Sequence, residues 1–504
     1  MKPINNFLIF IFLILTFSSC GDDFLSLSSK DTVTESAFFI TQEDAYSALA
    51  GVYATLQNEA TFTNVRNAAD IEWAITGDLY EMDRSANRIE LHSLRFPASN
   101  TILRDIYQNS YLGISRANVV VDKISKSPIS QETKDQIIGQ ALFIRGLYYY
   151  NLVHFFGGVP LITTPLSASD DLQLPRNSAD EVWDQVEKDM IDASSLLPIK
   201  WDNDIDKGRV TKTSAWGFLV KAFLWREKWD DAIIYSEKII SSGQHSLIET
   251  GFRDIFREEN ENNAEMVFST QFSTLQGEQN NLVARTAPRG APSKYTGPAA
   301  WSNFVPNRHW VNAMEKNTDN TIKDDRYSVI LGPTEIHPEN GYQLPAVPPA
   351  GMTKTGYIVT KYWFMPPIQN SGINAPILRY SEVLLNYAEA LNEKGKSYDA
   401  MRLVNQVRIR AKLEPKSVNL SKELVLDAIF EERRFEFIWE PTGGFNDLNR
   451  RGRFIEFIKK NRPDFQELGI DAKPWLHTKP ILFPIPTEAW TKNRALVQNP
   501  HYTF

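Results

Sequence analysis

The stretch that most limits what this chain can fold into runs from Gly139 to Ile162, GQALFIRGLYYYNLVHFFGGVPLI. Between Ala141 and Phe156 the only full charge is Arg145. Apolar side chains recur on every side of a helical period of about 3.6 residues, and a helix that is apolar all round must be covered by other elements. It is too short for a membrane span, which takes about 20 apolar residues. Gly157-Gly158 allows a left-handed C-cap, and Pro160 cannot continue the helix. Val159 to Ile162 then leaves as an extended apolar segment. Arg145, set in such surroundings, requires a carboxylate partner, because an unpaired buried charge is too costly.

A chain of 504 residues can bury a large core around this helix, and one body of that length is possible. The formal charge of −8 is mildly acidic and there is no basic block, which argues against a nucleic-acid partner. No two histidines stand at the spacing of a local zinc motif, and the chain has neither a phosphate-cradling glycine loop nor a nucleophile elbow. The sequence therefore points to no metal and no cofactor.

Cys20 is the only cysteine. Ahead of it, Lys2 opens a weakly basic start, Phe7 to Phe17 is a greasy run, and Ser18-Ser19 are small. This is the anatomy of a signal peptide over residues 1–19. The small residues before Cys20 resemble a bacterial lipobox, in which that cysteine becomes the lipid-modified first residue. Removing the leader takes the charge from −8 to −9, since Lys2 is its only charged side chain. No thiol pair remains to form a disulfide, so stability must come from packing. Acyl chains on Cys20 would hold the protein at a membrane without a spanning helix. Gly21-Asp22-Asp23 is similar to signals that send lipoproteins to the outer leaflet.

Helix signals follow in order. Thr41 is a good N-cap for a helix through Leu56, with Asp44 supplying acid in its first turn. Further helices are expected over Thr101–Ile124, Gln131–Phe156, Ser178–Leu197, Thr213–Trp225, Trp229–Ile240, Leu378–Glu393, Ser397–Ala411 and Ser421–Trp439. Residues 58–100 form a mixed polar connection, and residues 243–376 are rich in Gly, Pro, Asn and aromatics without sustained period. Short strands are plausible at Glu265–Gln271 and Tyr357–Trp363. The pairs around Ala222–Ile233 and Tyr387–Met401 share small Ala positions and an aromatic opening the second helix, which resembles the tetratricopeptide unit.

Several segments carry a more specific resemblance. They are Phe155-Phe156-Gly157-Gly158-Val159-Pro160-Leu161-Ile162, Leu378-Arg379-Tyr380-Ser381-Glu382 running on to Ala390, and Val404-Asn405-Gln406-Val407-Arg408-Ile409-Arg410. Glu431 to Glu436, followed by Phe445-Asn446-Asp447-Leu448, adds to them, as does Phe483-Pro484-Ile485-Pro486 with Gln498-Asn499-Pro500. In this order they resemble the SusD/RagB family of nutrient-binding outer-membrane lipoproteins. Asn446 departs from an aromatic-led pattern, and His501 stands where the family prefers Gly. The resemblance implies a mostly α SusD-like fold, with about four tetratricopeptide-like helix pairs and an irregular, loop-rich ligand-binding half. It implies one body over 20–504, with the scaffold mainly at 41–57, 101–240 and 378–440 and the ligand-binding region mainly at 58–100 and 243–376. It further implies no catalysis, an oligosaccharide or in some members a peptide as ligand, and a SusC-like TonB-dependent transporter as partner. The protein would sit lipid-anchored on the extracellular side of the outer membrane.

Sugars present flat C–H faces that stack on Trp and Tyr, with hydroxyls that need Asp, Asn, Arg or Gln at the edge. Two loops supply such residues. One offers Trp73, Asp78, Tyr80 and Arg84; the other offers Tyr295, Trp301, Asn303, Arg308 and Trp310. Trp301, after Gly297-Pro298, matches the family's ligand-site neighbourhood best. Trp183, Trp216, Trp225 and Trp439 fall on expected helices and read as core. A glycoside hydrolase would need two carboxylates across a cleft, roughly 5–5.5 Å or 6.5–9.5 Å apart. Glu382 and Glu389, with Arg379 nearby on one greasy helix, instead read as buried ion pairs, and the charges of Glu431 to Glu436 read as structural pairing.

Overall fold

The computed structural model describes residues 39–504 except 59–60, 62–66, 68, 83–84, 168, 298–299 and 365–370. Cys20, its leader and Arg84 lie outside the described residues. The helices follow the caps. Thr41 and Asp44 form a reciprocal capping box at the start of α1 (Gln42–Tyr53). After α2 (Ala86–His92), Asn100 caps α3 (Thr101–Lys126) and Ser130 caps α4 (Gln131–Phe156). Ser178 and Glu181 form a second capping box at α5 (Ala179–Leu196). Then come α6 (Lys212–Trp225), α7 (Trp229–Ser241), α8 (Tyr380–Glu393), α9 (Ser397–Arg410) and α10 (Lys422–Glu436). Shorter helices α11 (Phe445–Arg450), α12 (Phe454–Asn461) and α13 (Thr487–Lys492) close the chain.

Consecutive helices pack on one another: α3 on α4, α4 on α5, α6 on α7 and α8 on α9. The middle of this stack is α4, buried at every position from Gly139 to Phe156. At Gly113 a β-carbon would lie 1.9 Å from the Tyr148 ring, so α3 and α4 approach as closely as they do only because Gly113 has no side chain. Arg145 has the partner its burial demands. Its guanidinium grips Asp189 of α5 at 2.6 and 2.9 Å, and also donates to Asn118 Oδ1 of α3 and the Thr163 carbonyl. One cation thus ties three helices to the extended segment after α4. Gly157 ends α4 at φ +71, ψ −137. The positive φ matches the expected cap, but this ψ is outside the left-handed helical region and is open to glycine alone.

Among the described residues the strands are short: β1 (Leu79–Glu81), β2 (Met266–Thr270), β3 (Phe304–Pro306), β4 (Ile330–Leu331), β5 (Ile358–Val359) and β6 (Ala375–Arg379). They pair antiparallel as β1–β3, β2–β6 and β4–β5. The strand expected near Glu265 is β2, and of the one expected at Tyr357–Trp363 only β5 forms. Leu378 and Arg379, expected as the start of a helix, finish β6 instead and pair with Phe268 and Met266. An apolar run flanked by a helix does not reveal by period where strand gives way to helix. Trp439 is fully buried but lies beyond α10 with φ +63, not on it.

The irregular half is held to α9 and α10 by buried charge. Arg379 contacts Glu265, Glu436 and Glu440 at 2.5 to 2.8 Å and is 1% exposed. Arg410 also pairs with Glu436, Lys361 with Glu440, and Arg326 with Asp324 and Glu432. Arg379 is therefore not the partner of Glu382. That carboxylate takes Lys221 at 2.7 Å and Thr442, while Glu389 is clasped by Arg450. The charges of α10 pair across elements and not along their own helix: Arg433 with Asp447, Arg434 with Asp78, Glu431 with Lys416.

Candidate ligand-binding site

The two aromatic loops are far apart in sequence, and the β1–β3 ribbon joins them. Leu79, Tyr80 and Glu81 stand opposite Pro306, Val305 and Phe304. The pairing extends at both ends: Met82 N donates to Asn303 O at 2.7 Å, and Asn307 N donates to Asp78 O at 2.9 Å. Alternation along the ribbon buries Leu79 and leaves Tyr80 half-buried, edge-on to His92 with ring centroids 6.0 Å apart.

Trp301 lies one step beyond this ribbon. Its segment runs beside a short helix, Leu282–Thr286, with Trp301 N donating to Ala284 O and Asn303 N to Arg285 O. The Arg285 guanidinium sits 5.3 Å from the Trp301 ring centroid, so a cation covers one side of a half-buried indole. Asn303 is 5% exposed, and its Oδ1 has no hydrogen-bond partner among the described residues. Ser302 Oγ donates to Met352 O, and Arg308 Nε donates to Thr355 O at 2.6 Å, so residues 352–355 brace this stretch from the side. Arg308 itself is exposed. Tyr295 is half-buried and edge-to-face with Tyr342 at 5.4 Å; its carbonyl accepts from Trp363 Nε1.

The structure thus joins the two loops through one ribbon: Tyr80 lies on β1, Trp301 and Asn303 lead into β3 and Arg308 follows it, while Tyr295 packs on Tyr342. Trp73, Asp78 and Trp310 are buried and offer no surface. Trp73 and Trp310 are 0% exposed, with indole N–H groups donating to Glu440 O and Arg434 O. A ring with no accessible face cannot stack on a sugar in this arrangement. Asp78 is buried under the ribbon, where Arg434 grips both its oxygens and His309 Nε2 lies 3.3 Å away. Burial alone would raise its pKa, but Arg434 and His309 outweigh it and hold the carboxyl below its ordinary value. These three residues support the ribbon from beneath. Arg285 and Tyr342 were not singled out in the sequence; a lone Arg in the apolar run Leu282-Val283-Ala284-Arg285 was the available signal for the first.

Among the described residues no helix is long and apolar enough to cross a membrane, and no group of His, Cys, Asp and Glu could hold a metal ion. Residues 23–224 match a SusD-like family described as starch-binding and associating with the outer membrane, and residues 264–502 match the SusD family. A SusD-like protein of Formosa agariphila is 24% identical over 98% of both chains. A SusD superfamily protein from Bacteroides vulgatus superposes with a TM-score of 0.77 at 24% identity, over 92% of this chain and 99% of that one. A laminarin-binding SusD-like protein superposes with a TM-score of 0.73 at 23% identity, over 91% and 99%. With both halves matched and the fold shared nearly end to end, this chain, with its helical SusD-like fold, belongs to the SusD/RagB family.

Proposed function

We propose that the protein captures oligosaccharides at the face built on the β1–β3 ribbon and passes them to a SusC-like TonB-dependent transporter. The observation that carries this reading is the ribbon itself: half-buried Tyr80 lies on β1, and half-buried Trp301 lies on the segment that leads into its partner β3. Trp301, stiffened by Arg285, offers a carbon face for a pyranose ring. Asn303, closed off beside it, fixes the stretch through its backbone, with its N–H on Arg285 O and its carbonyl accepting from Met82 N. Arg308 and Tyr295 supply the edge; Arg84, outside the described residues, is a further candidate from the sequence. The buried pairing of Glu382 and Glu389 with cations supports binding without hydrolysis. Cys20 provides the lipid anchor, at the outer membrane and facing outward.

A glycan array followed by calorimetry on the strongest glycan tests the site. Trp301→Ala should weaken binding at least about tenfold. An unchanged affinity removes Trp301 from the site, and strong peptide binding with no glycan bound would replace the ligand class.

A further inference from the structure

A second surface has the same chemistry at another place. Where the chain leaves α2, residues 95–99 face the C-terminal segment across an open cleft of about 550 Å³. Its walls include Trp475, Tyr502 and Phe504, with Glu90, Arg95 and His501 among the polar groups. Both larger rings are held by their polar atoms. Trp475 Nε1 donates to Leu94 O at 3.2 Å, and Tyr502 Oη donates to Leu482 O at 3.0 Å. The rings lie 5.8 Å apart, tilted by 31°, and both are half-buried. With their polar atoms turned to the body, what they offer the cleft is carbon surface in a fixed orientation.

The rim is polar. Glu90 is steadied by Asn100 Nδ2 at 2.9 Å, and Arg95 is exposed. His501 is exposed and has φ +70, a conformation that a residue with a β-carbon adopts at some cost. A side chain kept at a backbone position suited to glycine is a pointer to use at that spot.

We infer that this cleft is a second saccharide-binding site, taking one or two pyranose units of a longer glycan on Trp475 and Tyr502, with hydroxyls meeting Arg95, Glu90 and His501. It shares with the reading above only the ligand class. Rigid rings flanked by bidentate and acceptor groups suit a ligand that is apolar on its faces and hydroxylated around its edge.

The experiment is a glycan array and affinity electrophoresis in polysaccharide gels with the wild type, Trp475→Ala, His501→Gly, Trp301→Ala and the double variant Trp301→Ala/Trp475→Ala. Trp475→Ala should weaken retention by about two- to tenfold, and the double variant should lose more than either single one. His501→Gly relieves the backbone, so it folds, and it should also weaken retention. If Trp475→Ala and His501→Gly both run as wild type does, this inference is overturned and the Trp301 reading stands. If Trp301→Ala is unchanged while Trp475→Ala loses binding, the reverse holds. A wild type that binds no glycan on the array overturns both.

Discussion

Arg379 faces three carboxylates with essentially no water to share them. Replacing it by Met would leave Glu265, Glu436 and Glu440 short of a counter-charge in the interior. Breaking a buried pair in this way costs about 3–5 kcal/mol, and a urea titration of Arg379→Met should show a loss of that order. A loss below about 1 kcal/mol would mean that Lys361 and Arg410 suffice alone. Glu72 gives a pH-dependent prediction. It is buried and accepts from Asn446 N at 3.1 Å and from Asn446 Nδ2. Burial, and then repulsion by Asp447, pushes its carboxyl from 4.5 up to about 8. Because the folded value is the higher one, the stabilisation is full below about 4.5 and is lost as pH rises through about 8. Glu72→Gln should therefore flatten the fall in stability between about pH 5 and pH 8, read from urea midpoints. Glu436 runs the other way: burial would raise it, but Arg410, Arg379 and Arg326 hold it at about 2. Its contribution is present above about 4.5 and is lost as pH falls through about 2.

At the scale of elements, the contact between α3 and α4 is the tightest test. Gly113→Ala would drive a methyl group into the Tyr148 ring and strain that ring's hydroxyl bond to Thr55. Overpacking of this kind costs about 1–3 kcal/mol, measurable as a lower midpoint of thermal unfolding. The helices were legible because they carry their own signals: caps at Thr41 and Ser178, a stop at Gly157-Gly158, and period in between. Arg145 announced a carboxylate, though not that it would be Asp189. The strands were mostly illegible, since three residues such as Leu79-Tyr80-Glu81 are too few to show alternation, and the partner of that strand lies more than two hundred positions away. The candidate site was legible as two loops and not as a surface. Trp73, Trp301 and Trp310 look alike in sequence, and only packing decides that two are sealed and one is partly open. His501 is a smaller case: it stands where the related pattern has Gly, and its positive φ supplies the reason.

At the scale of the molecule, the segment around residues 72–82 is a plug set into the second half of the chain. Trp73 bonds to Glu440, Glu72 to Asn446, Asp78 to Arg434, and β1 to β3. Asp78→Ala should thus do two things at once. It should cost about 3–5 kcal/mol by leaving Arg434 unpaired and partly enclosed. It should also weaken glycan binding, because the support beneath Tyr80 and Trp301 loosens. Stability loss with unchanged affinity would separate the ribbon from the binding face.

The ribbon also fixes an order in time. A ribosome delivers the chain from its N terminus, so Leu79 to Glu81 are made long before Phe304 to Pro306 exist to receive them. Through the synthesis of everything between, β1 waits without its partner, and closing so long a loop is slow. The proposed binding face is accordingly a late product of biogenesis: a nascent chain stalled before Phe304 would already carry the rings of Tyr80, Tyr295 and Trp301, but no β3 to join Tyr80 to the other two.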